Sequence, residues 1–140
     1  MHLLDANVLI ALGDPLHGHH DRVQSWFHEL PVRVWATCPL TENAFLRILS
    51  HPSYPQSPGP PTVLLGVLRE MCSLPGHQFW PDAISLRAQE NSVKLPAATH
   101  LTDFYLLALA IHRRGTLVTL DRRIDPSLLP GGPAAHFLIT

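Results

Sequence analysis

Apolar residues in this chain fall into short blunt runs that alternate with longer stretches of helical period. Leu3-Leu4 stops abruptly at Asp5, which predicts a short buried strand with a carboxylate at its end. Residues 6–12 continue as an apolar turn of helix. Over 15–30, Val23, Trp26, Phe27 and Leu30 share one face, Arg22, Gln24 and His28 point away from it, and Pro15 suits a first turn. Residues 32–36 read as a strand. Pro39 then opens a helix whose buried stripe is Leu40, Ala44, Phe45, Ile48 and Leu49. Residues 51–61 hold five prolines and a glycine and must be a loop. A helix over 62–74 follows, ended by Pro75-Gly76, then a strand at 78–80 and a helix at 83–93. Thr102 is the expected N-cap of the strongest helix, 103–114, with Gly115 as its terminator. Residues 116–120 form an extended, β-branched run ending in Asp121, and 137–139 read as a last edge strand. Short strands alternating with helices predict an α/β fold with a central, mainly parallel sheet. No internal repeat is visible.

Length and composition narrow this picture. The 140 residues suit a single domain, 1–140, and the 46% apolar content is enough for a packed interior. Net charge is −1, from 10 Lys+Arg against 11 Asp+Glu, so a nucleic-acid partner would have to be held by local contacts rather than a bulk basic field. Arginine supplies nine of the ten cations, which suits bidentate phosphate contacts but equally reflects composition bias. The start of the chain resembles no secretory signal, and the longest apolar run, 104–111, is too short to span a bilayer. A soluble, cytoplasmic protein with Cys38 and Cys72 as free thiols is the expectation.

Four acids stand at the edges of apolar elements. Asp5 and Asp121 follow strands, and Glu42 and Asp103 lie in the first turns of helices. In a parallel sheet, ligands bind beyond the carboxyl ends of the strands, so the four can converge there. Two carboxylates about 4 Å apart repel by roughly 4 kcal/mol at an effective dielectric of 20, so a cluster must take up protons or bind a cation. Oxygen-only ligation favours Mg²⁺ or Mn²⁺, and no His/Cys spacing in the chain suggests zinc. Singly, each acid has a structural reading: helix-dipole partners for Glu42 and Asp103, turn formers for Asp5 and Asp121.

Taken together, LLDANVLIAL at 3–12, LTENAFLRIL at 40–49, LTDFYLLALA at 101–110 and LVTLDRRI at 117–124 resemble, in order, the four acidic motifs of PIN domains. They are most similar to the VapC-type toxins of bacterial toxin–antitoxin pairs. WPDAISL at 80–86 and the proline-rich loop are similar to one branch of that group. The resemblance implies a three-layer α/β/α fold and Mg²⁺- or Mn²⁺-dependent RNA cleavage, by metal-activated water with in-line displacement at phosphorus. It makes Asp5 and Asp103 the main metal ligands and catalytic acids. Glu42 and Asp121 complete the site, by ligation or through water. Asn7 is implied as an outer hydrogen-bonding residue. It also implies a VapB-type antitoxin and a homodimer.

Thr102 and Thr119 flank two of the acids; either bonds to the site or serves only as N-cap and β-former. Arg122 and Arg123 follow Asp121 and are candidates for binding substrate phosphate, with Arg113 and Arg47 behind them. Arg113 and Arg114 also suit a helix C-terminus. His17, His19 and His20 read as solvated residues at a helix start, and Trp26, Trp35 and Trp80 as core. Two rivals stand beside the nuclease: a PIN-like module that binds or regulates without turnover, and an aspartyl phosphatase. The phosphatase usually needs a second Asp where this chain has Asn7.

Overall fold

The computed structural model describes residues 1–90 and 93–140. Five short strands form one sheet: β1 (His2–Leu4), β2 (Trp35–Thr37), β3 (His77–Phe79), β4 (Thr116–Thr119) and β5 (His136–Leu138). Their order is β3-β2-β1-β4-β5 and every pairing is parallel. Five helices cover the sheet: α1 (Ala6–Gly13), α2 (His20–Glu29), α3 (Pro39–Leu49), α4 (Pro61–Cys72) and α5 (Leu101–His112).

Strand alternation divides the interior in two. Successive side chains of a strand point to opposite faces. Leu3, Ala36 and Leu117 pack with Phe104, Leu107 and Trp80 on the α5 side. Leu4, Trp35 and Val118 pack with Val8, Phe45 and Leu64 on the side of α1–α4. The register makes this consistent across the sheet, because His2 pairs with both Trp35 and Thr116. Strands buried on both faces have no polar side, which is why Leu3-Leu4 and Leu117-Val118 read as continuous apolar runs.

Most predicted elements stand near where the pattern put them, but β2 begins only at Trp35 instead of residue 32, Leu40 is exposed instead of part of the buried stripe of α3, and four further differences have local causes. The helix predicted over 83–93 is instead an irregular strap, with one 3₁₀ turn at Leu86–Ala88 capped by Ser85; positions 91–92 of that expectation lie outside the described residues. Its Ile84 and Leu86 only partly bury against the α5-side core. Helix α2 begins at His20, because the Asp14 carboxylate accepts from Leu16 N and makes residues 14–17 a turn. Thr102 is not an N-cap: α5 starts at Leu101, after His100, and Thr102 is exposed in the first turn. The left-handed residue that ends α5 is Arg114 (φ 56°), not Gly115. There Gly115 N donates to Ala110 O and Arg114 N to Ile111 O, the paired bonds of a Schellman end. Among the described residues no helix is long and apolar enough to cross a membrane.

Candidate active site

β1 and β4 lie side by side at the centre of the sheet, and both end in an acid. Asp5 caps α1: its Oδ1 accepts from Ala6 N at 2.7 Å. Its Oδ2 accepts from the Thr119 hydroxyl at 2.7 Å. Thr119 is fully buried and joins the site together. It also accepts from Asn7 Nδ2 at 3.2 Å and from Asp121 N at 3.0 Å. A hydroxyl has one proton and two lone pairs, so all of its hydrogen-bonding capacity is used. Asn7 Oδ1 accepts from Leu120 N, which ties α1 to the turn that presents Asp121.

Asp103 comes from the first turn of α5 and faces the same place. The charges of Asp103 and Asp121 both act on Asp5. Burial is the main cause that pushes the Asp5 carboxyl up to about 6, with those two charges adding to it against the Thr119 and Ala6 hydrogen bonds. Asp103 is also raised, first by burial, with His100 acting in the other direction. Asp121 is held low by Arg123, whose Nε and an outer nitrogen each reach one of its oxygens at 3.0 Å. His100 Nδ1 lies 3.5 Å from Asp103 Oδ2, and one donor atom from each of His100, Asp103 and Asp121 fit within 4.8 Å of one another. Beside them is a hollow of about 140 Å³ lined by His100, Asp103, Phe104, Leu107, Arg123 and Leu128, among others.

Glu42 does not join these three. Its Oε2 accepts from the Thr37 hydroxyl at 2.6 Å, and its carboxylate shares a second cluster with Cys72 and His77. Alternation explains the split: Thr37 follows Trp35 onto the α1–α4 side, whereas Thr119 follows Leu117 onto the α5 side.

The arginines also divide. Arg123 touches Asp121, and Arg122 is exposed beside it. Arg113 is at the opposite end of α5, about 15 Å along the axis from Asp103, with its guanidinium 5.7 Å from the Trp80 ring. Arg47 is exposed on α3 by His51 and Tyr54 of the proline-rich loop. The clustered histidines make loop contacts: His17 Nδ1 accepts from His19 N, and His20 Nδ1 meets Ala11 O at 2.7 Å. Trp35 and Trp80 are core, and Trp26 is partly buried against Phe137. The sequence reading missed His100, although its place three residues before Asp103 at a helix start was a usable signal.

Three carboxylates meeting at one edge of the sheet, one of them raised mainly by its burial, make a donor set of oxygens that fits a hard divalent ion.

The comparisons with known proteins agree with this geometry. The PIN domain model matches residues 2–126. The chain is 41% identical over 131 residues to "Ribonuclease VapC39" of Mycobacterium tuberculosis, covering 92% of this chain and 94% of that protein. It is 36% identical to "Ribonuclease VapC44" of the same organism, over 96% of this chain and 95% of that one. It is 37% identical to that organism's "Ribonuclease VapC38", over 86% and 85%. A fold with two acid-ending central strands and a third acid opening α5, matched over nearly its whole length, places this chain in the PIN-domain family.

Proposed function

We propose that this chain is an endoribonuclease that works with Mg²⁺ or Mn²⁺, the toxin of a VapBC-type pair. The observation that supports it is the meeting of Asp5, Asp103 and Asp121 from three separate elements, with the Asp5 carboxyl pushed up to about 6. Asp5, Asp103 and Asp121 would hold the ion. When bound, it neutralises phosphodiester charge as a Lewis acid and makes water a stronger nucleophile.

The chain's own residues orient that centre. Thr119 and Ala6 N fix both oxygens of Asp5, so its lone pairs are aimed before anything binds. Asn7 holds the β4 turn and with it Asp121. Arg123 presents a cation at the rim, and exposed Arg122 extends that charge toward a phosphate. The hollow floored by Phe104 and Leu107 takes the apolar face of a base beside Asp103. Glu42 is the fourth acid of this reading and serves the centre by leaving Thr37. Exposed Leu40, Val63 and Phe137 leave apolar surface for a VapB-type antitoxin or a second copy to cover. The cytoplasm, where RNA and antitoxin are made, is its place in this reading.

The test is cleavage of RNA by purified protein with Mg²⁺ or Mn²⁺, with and without EDTA, for wild type and Asp103→Asn. Cleavage that needs the ion and the carboxylate is expected. Cleavage that persists through chelation, or in a folded Asp103→Asn protein, would overturn the reading.

A further inference from the structure

Outside the three-aspartate centre, one group of side chains has the makings of a different site. Glu42, Cys72 and His77 each bring a ligand atom, and all three atoms lie within 4.8 Å of one another. They come from the start of α3, the last residue of α4 and the first residue of β3. None of the roles proposed for the nuclease uses Cys72 or His77.

The local structure holds these donors firmly. Cys72 and His77 are separated by four residues, which corrects the expectation that no His/Cys spacing in the chain suits zinc. The connection between them turns at Gly76 (φ +92°), where a Cβ would meet Arg33 O at 1.8 Å, so only glycine allows this approach. The Trp35 ring sits edge-on to the His77 imidazole at 4.7 Å and sets its orientation. Thr37 fixes the remaining member. Its hydroxyl donates to Glu42 Oε2 at 2.6 Å and so, having one proton, must accept from His77 Nε2 at 2.8 Å.

The chemistry of the donors sets the class of ion. A thiolate, an imidazole and a carboxylate select zinc or its analogues, whereas the oxygen-only aspartates select magnesium or manganese. Tetrahedral zinc keeps its ligand atoms about 3.5 Å apart, so side-chain rotation about a fixed backbone closes the group. Binding releases the Cys72 thiol proton to solvent and moves the His77 proton from Nε2 to Nδ1, which frees the Nε2 lone pair.

We propose that Glu42, Cys72 and His77 form a second metal site, for a zinc-class ion, that retains Glu42 and thereby keeps it from the three-aspartate centre. Its effect on activity rests on the nuclease reading above; its existence does not.

The experiment titrates Co²⁺, as a spectroscopic stand-in for zinc, into the EDTA-stripped full chain. A near-ultraviolet thiolate-to-cobalt charge-transfer band is expected. Excess Mg²⁺ should leave it and Zn²⁺ should bleach it. Cys72→Ser should abolish the band and Cys38→Ser should preserve it. His77→Ala should weaken Co²⁺ binding on the order of 100-fold, at least the cost of losing an outer-sphere partner; it answers the question should Cys72→Ser fail to fold. No band in wild type, or a band lost with Cys38 instead of Cys72, overturns the site. In a second arm, Zn²⁺ at saturating Mg²⁺ should slow RNA cleavage by wild type and not by Cys72→Ser. A band with cleavage indifferent to zinc overturns the competition for Glu42. A band from a protein that cleaves nothing leaves the site standing and removes the nuclease reading instead.

Discussion

Asp103 and Glu42 begin from the same circumstances and end in different surroundings. Each lies in the first turn of a helix packed on the same parallel sheet. Asp103 meets two further aspartates and a histidine; Glu42 meets a threonine, a thiol and an imidazole. Burial raises Asp103, and the neighbouring Asp121 adds to that. A matching difference lies in the threonines that end two of the strands, one bonded to Asp5 and the other to Glu42. Thr119 and Thr37 each end a strand with a fully buried hydroxyl, but on opposite faces of the sheet. Which face of a three- or four-residue strand carries the buried threonine decides which acid it serves, Asp5 or Glu42.

Neutralising each acid in turn should separate the two clusters most strongly. Asp103→Asn should lower RNA cleavage on the order of 1000-fold, and Glu42→Gln only about tenfold. Equal losses in single-turnover assays would mean that the two clusters act as one centre. The threonines come next. Thr119→Val strips a partner from Asp5, Asn7 and Asp121 N at once. It should cost about 3 kcal/mol in urea unfolding and about 100-fold in activity, with Thr119→Ser restoring both. Thr37→Val frees half-buried groups that water can reach; it should cost about 1 kcal/mol and change cleavage little.

An effect confined to alkaline pH tests the electrostatics of the aspartate side. Asp5 is raised from 3.8 to about 6 in the fold, so the native state holds its proton more tightly than the unfolded chain. Its contribution favours the fold below the unfolded value and is lost as pH rises through about 6. That difference corresponds to about 3 kcal/mol at alkaline pH. Asp5→Asn keeps part of the hydrogen bonding, so the metal-free variant should gain about 1–2 kcal/mol at alkaline pH and nothing in acid. Urea midpoints across that range in EDTA check it, and a variant equally stabilised in acid would contradict it. Smallest is the clamp on Asp121. Arg123→Gln removes the cation that holds both of its oxygens, so Mg²⁺ should bind severalfold more tightly by calorimetry, even as RNA binds less well.

The sequence made one half of this comparison legible and not the other. Leu3-Leu4-Asp5 and Leu117 to Asp121 show apolar runs stopping at a carboxylate, and such runs become adjacent central strands of a parallel sheet. The same pattern placed α1, α3, α4 and α5. It groups Glu42 with the aspartates and gives no sign of its bond to Thr37, because that depends on which face Thr37 takes and three-residue strands carry too little alternation to show it. His77 and Cys72 were hidden for a related reason: they border a turn that looked like a plain helix end. The strap over 83–90 reads as helix in the sequence because its apolar residues lie on a partly covered surface, where period alone decides little. Arg114 shows that hydrogen bonding at a helix end can put an arginine where glycine is usual.

The junction between α5 and β4 also sets how the family can vary. Arg114 closes the helix, and Gly115 is wedged so that a Cβ would lie 2.8 Å from the Trp80 ring and 3.0 Å from Met1 O. No residue there is spare. One added or deleted would slip β4 against β1 by a single step, turn the threonine away and bring Leu120 or Val118 to the oxygen it now serves. This linker should therefore tolerate exchange of the Arg114 side chain, but neither a side chain at Gly115 nor a change of length.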